Sequence, residues 1–153
     1  MTQSEPETLV DLLTQVAAAS TDQEVMKFKE GKQWSGMTGG RLLERVRCVA
    51  LGLHGLGVRK GDTVAILAES SPLWTIADFA ILSLGAVNVP IYPTQSVQQV
   101  EYIIEQSRPK LLFISSAKQV KRISAALERF PDLPVVPFQP VPLQAGGIEF
   151  KEL

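Results

Sequence analysis

One cysteine and one histidine in 153 residues leave little side-chain chemistry to choose from. Cys48 alone cannot close an internal disulfide, and it fits a reducing compartment. With His54 as the sole histidine, neither a histidine-rich metal cluster nor a Cys-His catalytic pair is available in any ordinary form. An excess of charge of either sign is also missing. Fifteen basic against 16 acidic residues, for a formal net charge of −1, give no electrostatic pull toward nucleic acid or an anionic membrane. No apolar run is long enough to cross a bilayer; the longest, Phe79 to Ile91, is broken by Ser83, Asn88 and Pro90. The opening residues, Met1 to Glu5, are acidic and precede no apolar export core, so no secretory signal is expected and a soluble cytoplasmic protein is the default. Glycine is absent where a nucleotide fold would need it. After Leu67 the chain reads Ala68-Glu69-Ser70-Ser71-Pro72, which excludes a dinucleotide turn, and neither Gly39-Gly40 nor Gly146-Gly147 leads into the Lys-Ser or Lys-Thr of a P-loop.

What is present is a rhythm. Apolar segments begin at Val64, Val87, Leu111 and Val135, at steps of 23 or 24 residues. Between them lie stretches long enough for a helix and its turns, as a parallel crossover requires, and strands buried on both faces read as continuous apolar runs. The spacing predicts an α/β fold: an open, mostly parallel sheet of successive βαβ units with helices on both faces. With 45% hydrophobic residues, a chain of this length suits one domain burying about 70% of its unfolded surface. We expect an N-terminal helix in 1–20, a β-hairpin in 21–37, the parallel core in 38–130, and a Pro-rich connector with the start of a further element in 131–153. The closing Ile148 to Leu153 reads as an element beginning without a stop signal, as in a chain that continues.

Local signals fill in this frame. Ser4 and Glu7 have capping-box spacing ahead of an apolar stripe, Leu9, Leu12, Leu13 and Val16. Glu30-Gly31-Lys32 predicts the hairpin turn, between Val25 to Lys29 and Gln33 to Met37. Thr38 is the expected N-cap of a helix that buries Leu42, Val46, Val49, Ala50 and Leu53, and Gly55 or Gly57 stops it. Ser71-Pro72 starts a helix that is apolar on nearly every side, so it calls for cover on more than one face. Ser96 with Gln99, and Ser116 with Gln119, repeat the capping-box spacing. Pro131, Pro134, Pro137, Pro140 and Pro142 then restrict Val135 to Phe138 to an edge strand or extended connector.

Open parallel sheets bind ligands at the carboxyl ends of their strands. Two segments fall there: Glu69, Ser70 and Ser71 after the first strand, and Tyr92 and Thr94, around Pro93, after the second. They are the candidate ligand-proximal residues, with helix capping and an extended turn as their plainer roles. Cys48 is expected in the core, His54 at a helix end, and Lys118, Lys121 and Arg122 on a solvated helix face. No residue is assigned a catalytic or metal-binding role.

From Gly61-Asp62-Thr63-Val64-Ala65-Ile66, through Trp74 and Gly85-Ala86-Val87-Asn88-Val89-Pro90-Ile91-Tyr92-Pro93-Thr94, to Gln99-Val100-Glu101-Tyr102-Ile103-Ile104, the chain resembles the N-terminal region of AMP-forming acyl-CoA synthetases. These belong to the adenylate-forming superfamily, and the Ile-Tyr-Pro-Thr wording is similar to the long-chain fatty acid branch. The resemblance covers about Trp34 to Ser116. It implies a parent enzyme that uses ATP and magnesium to turn a fatty acid or other carboxylate into an acyl-adenylate, which then passes its acyl group to coenzyme A. That family works through a hydroxyl-rich loop ending in Pro-Lys-Gly, an aromatic-Gly-x-Thr-Glu segment, a ribose-binding Asp and a C-terminal Lys. None has a counterpart in this sequence, and Pro109-Lys110-Leu111 lacks both the loop before it and the glycine after it. The resemblance therefore implies a scaffold that binds no cofactor by itself, whose partner is the remainder of its own chain; association of the intact enzyme with a membrane periphery stays open. Two other forms of the parent remain: an aryl or short-chain CoA ligase, and a peptide-synthetase adenylation domain. A stand-alone flavodoxin-like binding module and a Pro-rich segment that docks an SH3-type partner are the readings from other classes.

Overall fold

The computed structural model describes residues 5–139 and Phe150. Its elements in chain order are α1 (Leu9–Ala19), β1 (Glu24–Glu30), β2 (Gln33–Thr38), α2 (Gly39–Gly55), β3 (Thr63–Leu67), α3 (Pro72–Ser83), β4 (Val87–Ile91), α4 (Val97–Ser107), β5 (Leu112–Ile114), α5 (Ala117–Arg122), α6 (Ser124–Leu127) and β6 (Val135–Pro137). β1 and β2 form an antiparallel hairpin, with Glu30 opposite Gln33 and Gly31 at φ 64° in its turn. The other four strands make one parallel sheet in the order β4-β3-β5-β6. The first crossover moves outward from β3 to β4, and the second returns past β3 to β5. The order therefore reverses between β3 and β5, and the carboxyl ends of those two strands flank the crevice where such sheets bind ligands.

Alternation along β3 sorts the core into two layers. Val64 and Ile66 pack with Leu42, Val46, Val49 and Leu53 of α2 and Ile76, Ala77, Ala80 and Ile81 of α3. Ala65 and Leu67 face the other way, against Val100 and Ile104 of α4 and Ile123 and Ala126 beyond β5. The all-round apolar α3 is covered from within the chain, since α2 and α1 both pack against it. Both sheet edges carry a proline, Pro90 in β4 and Pro137 in β6, which cannot donate to a further strand. β6 thus takes the edge-strand form of the two expected for the Pro-rich segment.

The helix ends show which local signals decided. Thr38 caps α2 as expected, accepting from the Arg41 N–H at 3.3 Å. Of the two candidate stop glycines, Gly57 is the one that turns left-handed, at φ 89°. The Val58 N–H reaches the Leu53 carbonyl at 3.0 Å and the Gly57 N–H the His54 carbonyl at 3.1 Å, a Schellman ending sealed by buried Val58 and Leu53. Gly55 is still helical, and nothing lies within 4 Å of where its Cβ would stand. The two positions should respond oppositely to alanine in thermal denaturation. Gly55→Ala is expected to stabilise by about 0.4–1 kcal/mol through the unfolded chain, and Gly57→Ala to destabilise by about 1–2 kcal/mol through the left-handed backbone.

Three expectations differ. The cap of α1 is Thr8, in a reciprocal box with Asp11; Ser4 lies outside the described residues. The α1 stripe is mostly outward, with Leu13 and Ala17 buried while Leu9, Leu12 and Val16 are exposed. Cys48 is exposed, because it stands two residues from both Val46 and Ala50 and so on the opposite side of α2 from the buried stripe. The expected ending at Ile148 to Leu153, Gly146-Gly147, Pro140 and Pro142 fall outside the described residues, apart from Phe150. That ring packs edge-on against Phe138 and Phe113, with centroids 5.0 and 5.5 Å away.

Candidate functional site at the carboxyl edge of the sheet

Glu69 leaves the end of β3, and Ser115 leaves the end of β5 with its N–H on the Leu67 carbonyl at 3.1 Å. The two loops are thereby held side by side across the crevice. Ser71 of the first loop is committed to α3: its Oγ accepts from the Trp74 N–H at 3.2 Å, and Pro72 occupies the first helical position. Ser70 is exposed. After β4, Tyr92 to Gln95 form a turn in which the Gln95 N–H donates to the Tyr92 carbonyl at 3.1 Å and the Tyr92 N–H to Gln95 Oε1 at 3.0 Å. The Tyr92 ring projects from this turn at 72% exposure, and Thr94 is exposed as well.

What joins these loops is a group of side chains with plainer expected roles. Gln119 was expected to close a capping box with Ser116, yet Ser116 makes no side-chain cap bond. Gln119 turns inward instead and is the one buried polar side chain among the described residues, at 6% exposure. Its Nε2 donates to Glu69 Oε1 at 2.9 Å, and its Oε1 accepts from Arg122 Nε at 2.6 Å. Burial without partners would cost an amide several kcal/mol, and both ends are satisfied here. Arg122 then donates from Nη1 to the Gln95 carbonyl at 2.6 Å. Lys118 and Lys121 are solvated as expected, whereas Arg122 is half-buried in this network. The expected single helix is divided into α5 and α6 at Ile123.

The Glu69 carboxyl is held below its ordinary value of 4.5, first by the Ser115 hydroxyl beside it. Partial burial opposes this, while the Gln119 amide, the Glu69 backbone and the charge of Lys118 reinforce it. Ser115 Oγ is buried and has no partner at hydrogen-bond geometry, so its effect is that of a dipole facing the carboxylate rather than a formed bond. The native state therefore favours ionised Glu69 over the unfolded chain. Its contribution to stability is complete at neutral pH and is lost as the pH falls below about 4.5 and through the folded value. Solvent screening at this exposed side chain keeps the effect small. Glu69→Gln is expected to flatten the acid limb of a stability-against-pH curve and to leave the neutral fold intact; an unchanged limb would show that Glu69 carries none of it.

Elsewhere, among the described residues, two clefts bear comparison. A larger one, about 510 Å³, is lined by residues including Ile104, Arg108, Lys110, Arg129 and Phe130. It opens at the amino ends of β5 and β6, away from the crevice, and two of its three cations are engaged, Arg129 by Glu101 and Lys110 by Asp62 at 3.7 Å. A second, about 380 Å³, lies beside the Tyr92 turn between Gln95, Gln98, Gln99, Tyr102 and Ile103. Size favours the first, but topology and the polar network favour the carboxyl edge, and we assign the candidate site there. Among the described residues no three His, Cys, Asp or Glu side chains group as metal ligands, and no helix is long and apolar enough to cross a membrane.

Residues 13–146 match the family model of the AMP-binding enzymes. The chain belongs to that family. A long-chain-fatty-acid–CoA ligase of Mycobacterium bovis, FadD15, is 40% identical over 97 residues, which cover 61% of this chain and 16% of that protein. The anthranilate CoA ligase AuaEII, solved with anthranoyl-AMP, superposes with a TM-score of 0.83 at 26% identity, over 94% of this chain and 27% of that one. An uncharacterised Mycobacterium tuberculosis protein is 29% identical over 125 residues, which cover 82% of this chain and 70% of that protein. This member of the AMP-binding family thus spans about a sixth of the long-chain ligase it matches and most of a shorter relative.

Proposed function

We propose that this chain is the N-terminal scaffold of a long-chain fatty acid CoA ligase and catalyses nothing alone. The observation that carries the reading is the 40% identity to the M. bovis long-chain ligase within a chain that matches the AMP-binding family over most of its length. The hairpin in 21–37 and the parallel core in 38–130 are the scaffold, and the exposed faces of α1 and the hairpin (Leu9, Leu12 and Trp34) are surfaces for the remainder of such an enzyme. Glu69, Ser70, Ser71, Tyr92 and Thr94 border the acyl-adenylate side without acting on the reacting atoms. ATP, magnesium and coenzyme A belong to the parent. The carboxyl edge offers one carboxylate, Glu69, already bonded by Gln119, and no glycine turn, so these residues do not fit a magnesium-bound triphosphate. We place the parent in the cytoplasm.

An aryl-CoA ligase is the second reading, favoured by the superposition on the anthranilate enzyme. The purified chain, given ATP, magnesium, coenzyme A and either palmitate or anthranilate, is expected to form no acyl-CoA above a protein-free blank. Formation of either thioester by the chain alone overturns the scaffold reading.

A further inference from the structure

We infer that Gln119 is a positioning residue that sets the Tyr92–Gln95 turn from a distance, through Arg122. The argument is one of connectivity. Glu69, Gln119, Arg122 and the Gln95 carbonyl form an unbroken series of three hydrogen bonds, 2.9, 2.6 and 2.6 Å long. The first joins residues 50 apart in sequence and the last residues 27 apart, so the series ties the loop after β3 to the turn after β4 by way of the helix after β5. The backbone ladder already sets the ends of β3 and β4 side by side, Leu67 opposite Ile91, but it does not join the turn after β4 to the helix after β5. β4 and β5 do not touch, because β3 lies between them.

Gln119 suits the middle position because an amide is both donor and acceptor, and each end here meets a charge of the matching sign. A carboxylate at 119 would serve Arg122 and repel Glu69. An apolar side chain would leave Arg122 without its orienting acceptor, and Arg122 already holds one buried nitrogen, Nη2, with no partner. With Nε released, the guanidinium is free to swing toward solvent and abandon the Gln95 carbonyl. Hydrogen bonds to charged groups are stronger than neutral ones, enough to govern a four-residue turn. The consequence is that the turn bearing Tyr92 and Thr94 is placed relative to Glu69 by Gln119, which bonds Glu69 and reaches the turn through Arg122.

The test is residue-resolved amide hydrogen exchange on the chain itself. Gln119→Met is expected to speed exchange at the Tyr92 and Gln95 amides by roughly tenfold or more. Arg122→Met should do the same, Arg122→Lys should restore part of the protection, and Lys121→Ala, on the exposed side of α5, should change nothing. Exchange at the amides of β3 and β5 reports global stability, and each result is read as a ratio to it. Should Gln119→Met destabilise the whole fold, Gln119→Glu offers a near-isosteric substitute, expected to loosen the Glu69 loop while the Arg122 contact and the Tyr92 turn hold. Exchange at Tyr92 and Gln95 that follows the central strands in every variant would overturn the inference. That outcome is separable from failure of the scaffold reading, which is decided by acyl-CoA formation.

Discussion

Phe113→Ala is expected to remove about 3–5 kcal/mol of stability, measured by urea denaturation. The ring is fully buried at the middle of β5, a strand flanked by β3 and β6. It also anchors two further rings, Phe138 at a centroid distance of 5.6 Å and Phe150 at 5.5 Å. Removing it deletes the burial of one large side chain, opens a cavity on the face of the sheet that packs against α2 and α3, and strips both other rings of a partner. Domains of this size hold only about 5–15 kcal/mol in total, so the loss is a large part of the whole. Phe138→Ala, at the rim of the same trio, should cost less, and equal losses would show that the three rings do not share a centre.

Gly39→Val is expected to cost about 2–4 kcal/mol, combining overpacking with a lost hydrogen bond. A Cβ on Gly39 would stand 2.7 Å from the Ser20 carbonyl oxygen and 3.0 Å from the Ala17 Cα. Both are backbone atoms and neither can rotate away. The Gly39 N–H also donates to the Ser20 and Gln23 carbonyls, each at 3.1 Å, so pushing α2 outward breaks the contacts that fix α1 and the hairpin to the core. Even alanine, which gains roughly 0.5–1 kcal/mol from backbone entropy in a helix, should come out destabilising here. The pair Gly39-Gly40, which has no phosphate-binding sequence around it, is thus explained by close backbone approach. A Gly39→Ala variant as stable as the parent in thermal melts would contradict this.

Strand rhythm was legible because burial on both faces writes itself as continuous apolar runs, as in Val64 to Leu67. The α2 stripe was legible because its period is local. Interaction partners set by tertiary contact were not. Gln119 stands three residues after Ser116, as a capping box demands, but the carboxylate of Glu69, 50 residues away, competed for its amide and won. Arg122 reads as a solvated cation until the Gln95 carbonyl is placed beside it. Of the candidate ligand-proximal residues, Glu69 does enter the network at the crevice, whereas Ser71 is committed to its helix cap. The strand-end rule that singled out Glu69 applies equally to Ser115 after β5, and it would have found that residue had the third strand been given the weight of the first two.

The scaffold claim is tested most directly by exchange of parts. Residues 13–139 of this chain, grafted in place of the matching segment of the M. bovis long-chain ligase, should give an enzyme that still converts palmitate to palmitoyl-CoA in the presence of ATP, magnesium and coenzyme A. Activity within about tenfold of the parent ligase, a difference of 1.4 kcal/mol in barrier, is the expected result. A soluble, folded graft that forms no palmitoyl-CoA would contradict it.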